Sequence, residues 1–371
     1  MRRVSVSSLR PGMKVARPVY DSSGFLLLNS GLELKREYIE NLKKLEIPAL
    51  FIVDNLIPDV DIDDVILDET RKKANQLIKN IIMDIEKQPA KSISKWMFAD
   101  KSINNVLNDI VDQLLDNSNL VINLADIRTA DNYTFSHSVN VAVLAITTGI
   151  SLGLSRSRLH KIGFGSLLHD LGKIKIPLWI LNKNGSLSVE EFEEIKKHPR
   201  YGYDMVRMQD YMDISSALII YQHHERINGK GYPEGLTSEQ IHLFSKIGAI
   251  ADVYDALVSD RPYRSAFPPH EAFHFLQSGG EEYDQNILQK FFNNIAAYPV
   301  GTILSLSNET IGVVVHNTAG FPTRPKVRII CSESELELLE PTEIDLMHRL
   351  NIVVKKVYSE NDIPENIKKI M

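Results

Sequence analysis

Five of the eleven histidines lie in one stretch of the chain beside two aspartates, and together these residue types could hold a metal ion. A single histidine on a helix is usually an ordinary core or surface residue. Adjacent polar pairs are costly to bury unless a partner satisfies them, and a divalent metal satisfies imidazole and carboxylate together. The pattern therefore favours a metal site built from His137, His169, Asp170, His198, His223, His224 and Asp252.

The other six histidines are interpreted as structural or surface residues: His160, His242, His270, His274, His316 and His348.

The elements that would position the site are helical. From about residue 70 to 298, apolar residues recur every three or four positions, as on amphipathic helices. Capping-box patterns at Ser188 with Glu191 and at Thr237 with Gln240 predict two helix starts. Residues 34–45 also predict a helix, whereas strands are predicted over 14–20, 25–28, 49–53, 302–306, 311–315 and 326–331. The expected fold class is mainly α, with small modules at both ends.

Composition narrows the function classes. The chain has 371 residues, 43% hydrophobic and 24% charged, which is typical of a globular protein of two or three domains. Its formal net charge of -6 argues against binding polymeric nucleic acid. Cys331 is the only cysteine, so a thiolate metal cluster is excluded. An acidic run is interpreted as a solvated linker, with a docking surface as the alternative: Asp54, Asp59, Asp61, Asp63, Asp64, Asp68 and Glu69.

No membrane segment is expected. The N-terminal residues lack the apolar core of a signal peptide, and the most apolar stretch, 139–154, is interrupted by polar residues. It falls short of the roughly 20 apolar residues that a membrane span needs, so it predicts a buried core helix. We expect a cytoplasmic protein.

Ordered motifs carry a family resemblance. Residues 169–173 read HDLGK and residues 223–233 read HHERINGKGYP, and they are followed by DVYDAL at 252–257 and DRPYR at 260–264. Over roughly residues 120 to 300 the chain resembles the HD-GYP family of cyclic di-GMP phosphodiesterases, within the HD hydrolase superfamily. The resemblance implies an HD-type helical bundle that hydrolyses this messenger at a metal centre.

The resemblance also suggests a division of the chain. Residues 1–57 would form a small α/β accessory module and 58–118 an acidic linker with connecting helices. Residues 119–298 would form the catalytic HD-GYP domain, and 299–371 a β-rich C-terminal module.

Counting ligands supports two metals. If Asp170 bridges them, one metal receives His137, His169 and Asp252, and the other His198, His223 and His224. A bridging hydroxide and a substrate oxygen would bring each metal to six ligands, which suits iron or manganese better than tetrahedral zinc. The hydroxide would attack in line, giving linear pGpG first; whether hydrolysis continues to GMP is left open.

Further residues are expected to contact substrate. Lys173 lies three residues beyond the catalytic Asp170 and could face the same site as a phosphate clamp or proton donor. Arg261 and Arg264 carry guanidinium groups that suit phosphate or guanine edges, with salt bridges to Asp255 or Asp260 as the alternative. Gly231 and Tyr232 belong to a turn in which glycine would allow a positive φ, and the resemblance adds a substrate or partner contact.

Three positions depart from the family pattern. Ile227 and Asn228 replace the usual Tyr and Asp of the GYP loop, which removes a carboxylate. Tyr133 stands four residues before His137, where members with three metals carry a Glu. Tyrosine is a poor ligand for a third divalent ion, so we predict two metals.

Alternative functions remain. One is the same chemistry on another cyclic dinucleotide such as cyclic GMP-AMP, and the other is a catalytically inactive receptor for cyclic di-GMP or a partner protein. The complete ligand set argues against the receptor. A protein partner for the terminal modules and a homodimer are left open.

Overall fold

The computed structural model describes residues 1–20, 25–45, 47, 49–60, 64–87, 101–117, 121–122, 133–183, 185–207, 212–259, 266–332, 342–360 and 362–368, with backbone alone at 101, 133 and 134. These residues form two compact units. One comprises residues 65–119 and 134–294, and the other comprises residues 1–64, 120–133 and 295–371.

The first unit is helical. Its helices are α2 (Asp68–Lys87), α3 (Lys101–Asp116), α4 (Tyr133–Ser151), α5 (Arg156–Leu167), α6 (Leu178–Leu181), α7 (Val189–Ile195), α8 (His198–Val206), α9 (Ile214–Gln222), α10 (Leu243–Val258), α11 (Pro269–Ser278) and α12 (Gln285–Phe292). A 3-10 helix, Leu171–Lys175, lies between α5 and α6.

Two buried helices run through this unit. Residues 137–149 of α4 are buried without a break, as the apolar run at 139–154 predicts for a core helix. Helix α10 buries Tyr254 completely, with its ring 5.2 Å from that of Phe291. Within the described parts of the chain, the helices lack the length and apolar content that a bilayer crossing requires. Both α4 and α10 carry predicted metal ligands.

The second unit holds the chain termini. Strand β1 (Arg2–Ser5) pairs with β4 (Ala49–Ile52), and β2 (Val19–Tyr20) pairs with β3 (Leu26–Leu28), both antiparallel. Helix α1 (Arg36–Lys44) packs its buried Ile39 and Leu42 into their core. An antiparallel five-stranded sheet then follows in the order β8 (Glu343–Asp345), β7 (Lys326–Ser332), β6 (Thr310–His316), β5 (Ile303–Leu306) and β9 (Val354–Val357). The short helix α13 (Glu365–Lys368) closes the described chain.

The fold class expected from the sequence is confirmed: the chain is mainly helical, with a β-rich C-terminal part and a mixed N-terminal part. The predicted domain boundaries stay predictions.

Local expectations hold unevenly. Ser188 and Glu191 do form a reciprocal capping box at the start of α7. The helix expected at Thr237 is absent, because Gln240 closes a turn there by accepting hydrogen bonds from the Thr237 amide and hydroxyl. Helix α10 starts instead at Leu243, where the His242 side chain accepts a hydrogen bond from the Phe244 amide. His242, interpreted as an ordinary structural or surface residue, is therefore the cap.

The acidic run is only partly a solvated linker. Asp54 is buried, and its Oδ2 lies 2.7 Å from Nε of Arg2. Asp59 is exposed but accepts hydrogen bonds of 2.6 and 2.7 Å from Arg328, which hold the pKa of its carboxyl at about 2. The solvated interpretation is wrong for Asp54, because a cation distant in sequence reaches it. Asp61 and Asp63 lie outside the described residues.

Candidate metal centre

Five segments of the helical unit bring the predicted ligands together. His137 lies on α4 and Asp252 on α10, whereas His169 and Asp170 occupy the turn between α5 and the 3-10 helix. His198 is the first residue of α8, and His223 and His224 follow α9 directly. All seven side chains meet, and all except the half-buried His224 are buried.

Asp170 lies between two groups of histidines. Its Oδ2 is 3.4 Å from Nε2 of His169 and 3.8 Å from Nε2 of His137. Its Oδ1 is 3.4 Å from Nε2 of His198 and 4.0 Å from Nε2 of His223. Each carboxylate oxygen thus faces a different pair of imidazoles, which is the arrangement that a bridging ligand requires.

Asp252 adds a second carboxylate. Its Oδ1 lies 3.1 Å from Nε2 of His137 and 3.7 Å from Nε2 of His169. Its Oδ2 lies 3.8 Å from Nδ1 of His224, so this carboxylate also reaches the other half of the cluster. Three overlapping groups have the spacing of metal ligands: His137 with His169 and Asp170, His169 with His223 and Asp252, and His198 with His223 and His224.

Hydrogen bonds on the outer side orient the imidazoles. Nδ1 of His169 lies 2.8 Å from the carbonyl oxygen of Ser166. In the same way, Nδ1 of His198 lies 2.7 Å from the carbonyl oxygen of Ile195, and Nδ1 of His223 lies 3.0 Å from that of Ile220. A carbonyl only accepts, so Nδ1 must carry the proton and Nε2 keeps its lone pair for the centre. Backbone carbonyls alone therefore orient three of the five imidazoles with Nε2 toward the centre.

Burial keeps several of these rings neutral. It lowers the pKa of His198 to about 4 and moves the pKa of His223 and His224 well below the usual value. Burial alone would raise the pKa of Asp170, but Lys173, His169 and His198 outweigh it and hold that pKa well below normal. Neutral imidazole and ionised carboxylate are the protonation states that bind metal.

Two buried atoms test whether a metal fits. His169 Nε2 and Asp170 Oδ1 have no hydrogen-bond partner among the described residues. A buried polar atom without a partner is costly, and a divalent cation would satisfy both the lone pair and the carboxylate. Nitrogen and oxygen donors without thiolate suit iron, manganese or zinc. The residues present fit a metal centre.

Lys173 lies at the same site. Its Nζ is 2.6 Å from Oδ2 of Asp170, and its side chain is about one-third exposed. The i,i+3 spacing therefore does place the ammonium group beside the central carboxylate, with one side open to solvent.

The GYP loop packs on the centre through Tyr232. The ring stacks on that of His224 with centroids 4.6 Å apart, and the Tyr232 amide donates to the His224 carbonyl. Burial raises the pKa of the Tyr232 hydroxyl. The positive φ expected at Gly231 is wrong, since its backbone does not adopt that conformation. Gly231 is required for space instead, because a Cβ there would lie 2.4 Å from the backbone nitrogen of Arg226. Close approach of two backbone segments excludes a side chain at this position.

Glu225 is a site residue that sequence reasoning missed. It is buried beside two ligands, and its carboxylate accepts hydrogen bonds of 2.7 Å from the Glu234 amide and 2.9 Å from the Leu236 amide. Those bonds hold the far side of the GYP loop. The sequence signal for Glu225 was its place directly after His223 and His224. A carboxylate beside two predicted ligands favours a role in the site over an ordinary surface charge. At one departure from the family pattern, the Asn228 side chain accepts a hydrogen bond from the Lys230 amide within the loop.

Asp255 is a second residue whose part in the site was missed. Its Oδ2 lies 2.7 Å from Nδ1 of His137, and its side chain is fully buried. The signal available was its spacing, one helical turn beyond Asp252 on α10. Burial opposes a charge on His137, but hydrogen bonds to Asp252 and Asp255 outweigh it and raise the pKa of His137 to about 9.

Three predicted positions stay untested. Arg261 and Arg264 lie outside the described residues, as does the side chain of Tyr133 at the start of α4.

Comparison with known proteins identifies the family. The profile of the HD domain matches residues 109–287, and that of a KOW domain associated with the HD domain matches residues 303–366. A cyclic di-GMP phosphodiesterase of Pseudomonas aeruginosa is 30% identical over 378 aligned residues, covering 93% of this chain and 89% of that protein. The chain belongs to the HD-GYP family of cyclic di-GMP phosphodiesterases. The resemblance drawn from the HDLGK and HHERINGKGYP motifs is confirmed.

Other known proteins match smaller shares of this chain. A 3'3'-cGAMP-specific phosphodiesterase of Vibrio cholerae is 35% identical over 170 residues, covering 45% of this chain and 38% of that protein. A solved HD-GYP-type protein of Bdellovibrio bacteriovorus has 20% identity and a TM-score of 0.46, covering 78% of this chain and 97% of that one. The KOW match spans the described five-stranded sheet.

Proposed function

We propose that this chain hydrolyses cyclic di-GMP to linear pGpG at a centre of two divalent metal ions. The observation that carries the proposal is the Asp170 carboxylate, whose two oxygens face different pairs of histidines. One metal would be held by His137, His169 and Asp252, and the other by His198, His223 and His224, with Asp170 shared.

The ions, proposed to be iron or manganese, would supply a hydroxide nucleophile at neutral pH and neutralise charge on the attacked phosphate. Side chains of this protein bind the substrate and orient the ligands. Lys173 holds its ammonium group beside Asp170, where it can donate to a phosphate oxygen of the bound substrate. Tyr232 fixes the ring of His224 by stacking on it. Arg261 and Arg264 are proposed as further phosphate or guanine contacts.

A product assay tests the proposal. Metal-loaded protein, prepared without air, is incubated with cyclic di-GMP and the products are separated by chromatography. We expect linear pGpG to form first. His223→Ala should abolish it, while His348→Ala, which removes an exposed histidine of the second unit, should not. Metal-loaded protein that leaves cyclic di-GMP intact would contradict the proposal.

The product assay also includes 3'3'-cGAMP, because one relative is specific for this dinucleotide. The Vibrio cholerae relative is a 3'3'-cGAMP-specific phosphodiesterase that is 35% identical to this chain over 170 residues. Parallel assays with both dinucleotides separate the two functions, and faster turnover of 3'3'-cGAMP would reassign the substrate. Tight binding of cyclic di-GMP without product would support a receptor.

A further inference from the structure

We infer that Arg71 is a positioning residue for the metal ligand His137 and acts through Asn140 and Asp255. The inference deepens the proposed function, since it rests on a metal centre in the helical unit. It assigns a role in that centre to α2, a helix that precedes the residues matched by the HD profile.

A chain of hydrogen bonds links the four residues. Arg71 Nη1 donates to Asn140 Oδ1 at 2.9 Å, and Asn140 Nδ2 donates to Asp255 Oδ1 at 3.0 Å. The other oxygen of Asp255 lies 2.7 Å from Nδ1 of His137. Asn140 and Asp255 are buried, as is the imidazole. Three helices, α2, α4 and α10, thus contribute to the support of one ligand.

The direction of these hydrogen bonds is fixed by which groups can donate and which can only accept. A guanidinium group can only donate, so it selects the amide orientation in which Asn140 Oδ1 faces Arg71. The Nδ2 group then faces Asp255, and this carboxylate remains an acceptor for Nδ1–H of His137. With the proton held on Nδ1, the lone pair of Nε2 faces Asp170 and Asp252. The donor at one end therefore sets the tautomer at the other.

The group that accepts the Nδ1 hydrogen bond of His137 differs from that of three other predicted ligands. His169, His198 and His223 each rest on a backbone carbonyl within three residues, which α-helical or turn geometry supplies locally. His137 rests on side chains from separate helices, so its orientation depends on how α2 packs. A second contact, Asn75 Nδ2 to Ser136 Oγ at 3.5 Å, joins the same face of α2 to the residue before His137.

The consequence is an asymmetric centre. Loss of an outer partner of a metal-bound histidine typically weakens metal binding by about 10–100-fold. Only the metal held by His137 depends on Arg71, so removing this guanidinium group should weaken one of the two metals and spare the other.

Manganese titration of the metal-free protein tests the inference. Arg71→Gln replaces a group that only donates with a neutral amide that can also accept and that ends two bonds short of the Nη1 position. Lys73→Gln is the matched control, because Lys73 lies on the exposed side of α2 and pairs with Glu69. We expect about a tenfold loss of affinity at one metal in Arg71→Gln, with the second unchanged and with both unchanged in Lys73→Gln. Arg71→Lys, which keeps a cation that can only donate, should recover part of the loss.

Two further measurements separate positioning from general support. Asp255→Asn should weaken the same metal, and combining it with Arg71→Gln should add little, because both act through one chain. Unchanged affinities in Arg71→Gln would overturn the inference, and so would equal weakening of both metals accompanied by a lower melting temperature of the metal-free protein.

The outcome is independent of substrate. If the parent protein binds metal but hydrolyses no cyclic di-GMP, the proposed function fails and the effect of Arg71→Gln on affinity still decides this inference. If the parent binds a single metal, the binuclear proposal fails, and the inference stands or falls on whether Arg71→Gln weakens that metal.

Discussion

At the scale of single residues, a binuclear centre depends most on Asp170. Its two oxygens lie within 3.4 Å of imidazole nitrogens on opposite sides, and the Lys173 ammonium group neutralises part of its charge. Asp252 also reaches both halves, but its contact with His224 is longer, at 3.8 Å. Removing Asp170 should therefore affect both metals, whereas removing Asp252 should mainly affect one.

Asp170→Ala is expected to lose both metals and almost all phosphodiester hydrolysis, because each metal loses its shared ligand. Metal content is measured by elemental analysis and the fold by circular dichroism, which should stay helical. Asp112→Ala, which removes an exposed carboxylate on α3, is the matched control. Two metals and near-normal turnover in Asp170→Ala would disprove the bridging assignment.

The pH dependence of the metal-free protein should report on His137. Its pKa is raised from 6.5 to about 9 in the folded state, so between these values the folded protein binds more protons than the unfolded chain. The His137 contribution to the free energy of unfolding is then complete below pH 6.5 and is lost as pH rises through about 9. The loss is on the order of 3 kcal/mol, at 1.36 kcal/mol per pH unit.

Urea unfolding at several pH values measures this change. The decline should disappear in the metal-loaded protein, where metal replaces the proton on Nε2. A metal-free protein whose stability is constant from pH 6.5 to 9.5 would show that Asp252 and Asp255 do not hold a proton on His137.

At the scale of elements, the 3-10 helix and α8 approach too closely for a side chain between them. A Cβ on Gly172 would lie 1.9 Å from the His198 carbonyl oxygen and 2.5 Å from the Gly202 nitrogen. These are backbone atoms, so relief requires a shift of the whole segment. Gly172 adjoins Leu171 and Lys173, and the same segment carries Asp170.

Gly172→Ala should therefore separate Asp170 from His198 and lower metal affinity by at least tenfold, the typical effect of disturbing the shell around a metal ligand. Gly280→Ala is the control, because a Cβ there would meet its nearest atom at 3.4 Å, an ordinary contact. Isothermal titration with manganese compares the variants. Parent-like affinity in Gly172→Ala would mean that the two segments move apart without disturbing the ligands.

The elements also show what the sequence could and could not predict. The His169–Asp170 and His223–His224 pairs are local motifs, so the amino-acid sequence alone is enough to predict that they belong to one cluster, as the structure places them. Asp255 and Arg71 form hydrogen bonds between helices, and Glu225 binds amides on the far side of its loop. Such contacts are set by tertiary structure, so the sequence does not reveal these partners. In the turn at Thr237, the Thr237 amide donates to the Gln240 side chain, as it would at the start of a helix. The same sequence pattern therefore fits both structures, which explains the wrong prediction there.

At the scale of the whole molecule, distant parts of the chain assemble the second unit. Arg2 and Asp54 are 52 residues apart and form a largely buried pair at 2.7 Å. The Ser5 amide and hydroxyl donate to the Glu360 carboxylate across 355 residues. Sequence patterns predicted β3 to β7 and, of the strand expected over 14–20, only its end in β2, and they missed β1, β8 and β9. They could not predict these pairings, because the partners are set by tertiary packing.

Asp54→Ala should destabilise this unit by about 3 kcal/mol, because it leaves the Arg2 charge buried without its partner. Urea unfolding followed by tyrosine fluorescence measures the loss. Asp345→Ala, on the partly exposed strand β8, is the comparison, and an equal effect in both variants would show that the Arg2 pair has no special weight.

The sharing of Asp170 by two metals is tested most directly by anomalous diffraction from crystals of the manganese-loaded protein. We expect two peaks, one on each side of the Asp170 carboxylate, with the Tyr133 hydroxyl outside both coordination spheres. A single peak, a third peak in the site, or the Tyr133 oxygen within bonding distance of a metal would contradict a binuclear centre bridged by Asp170.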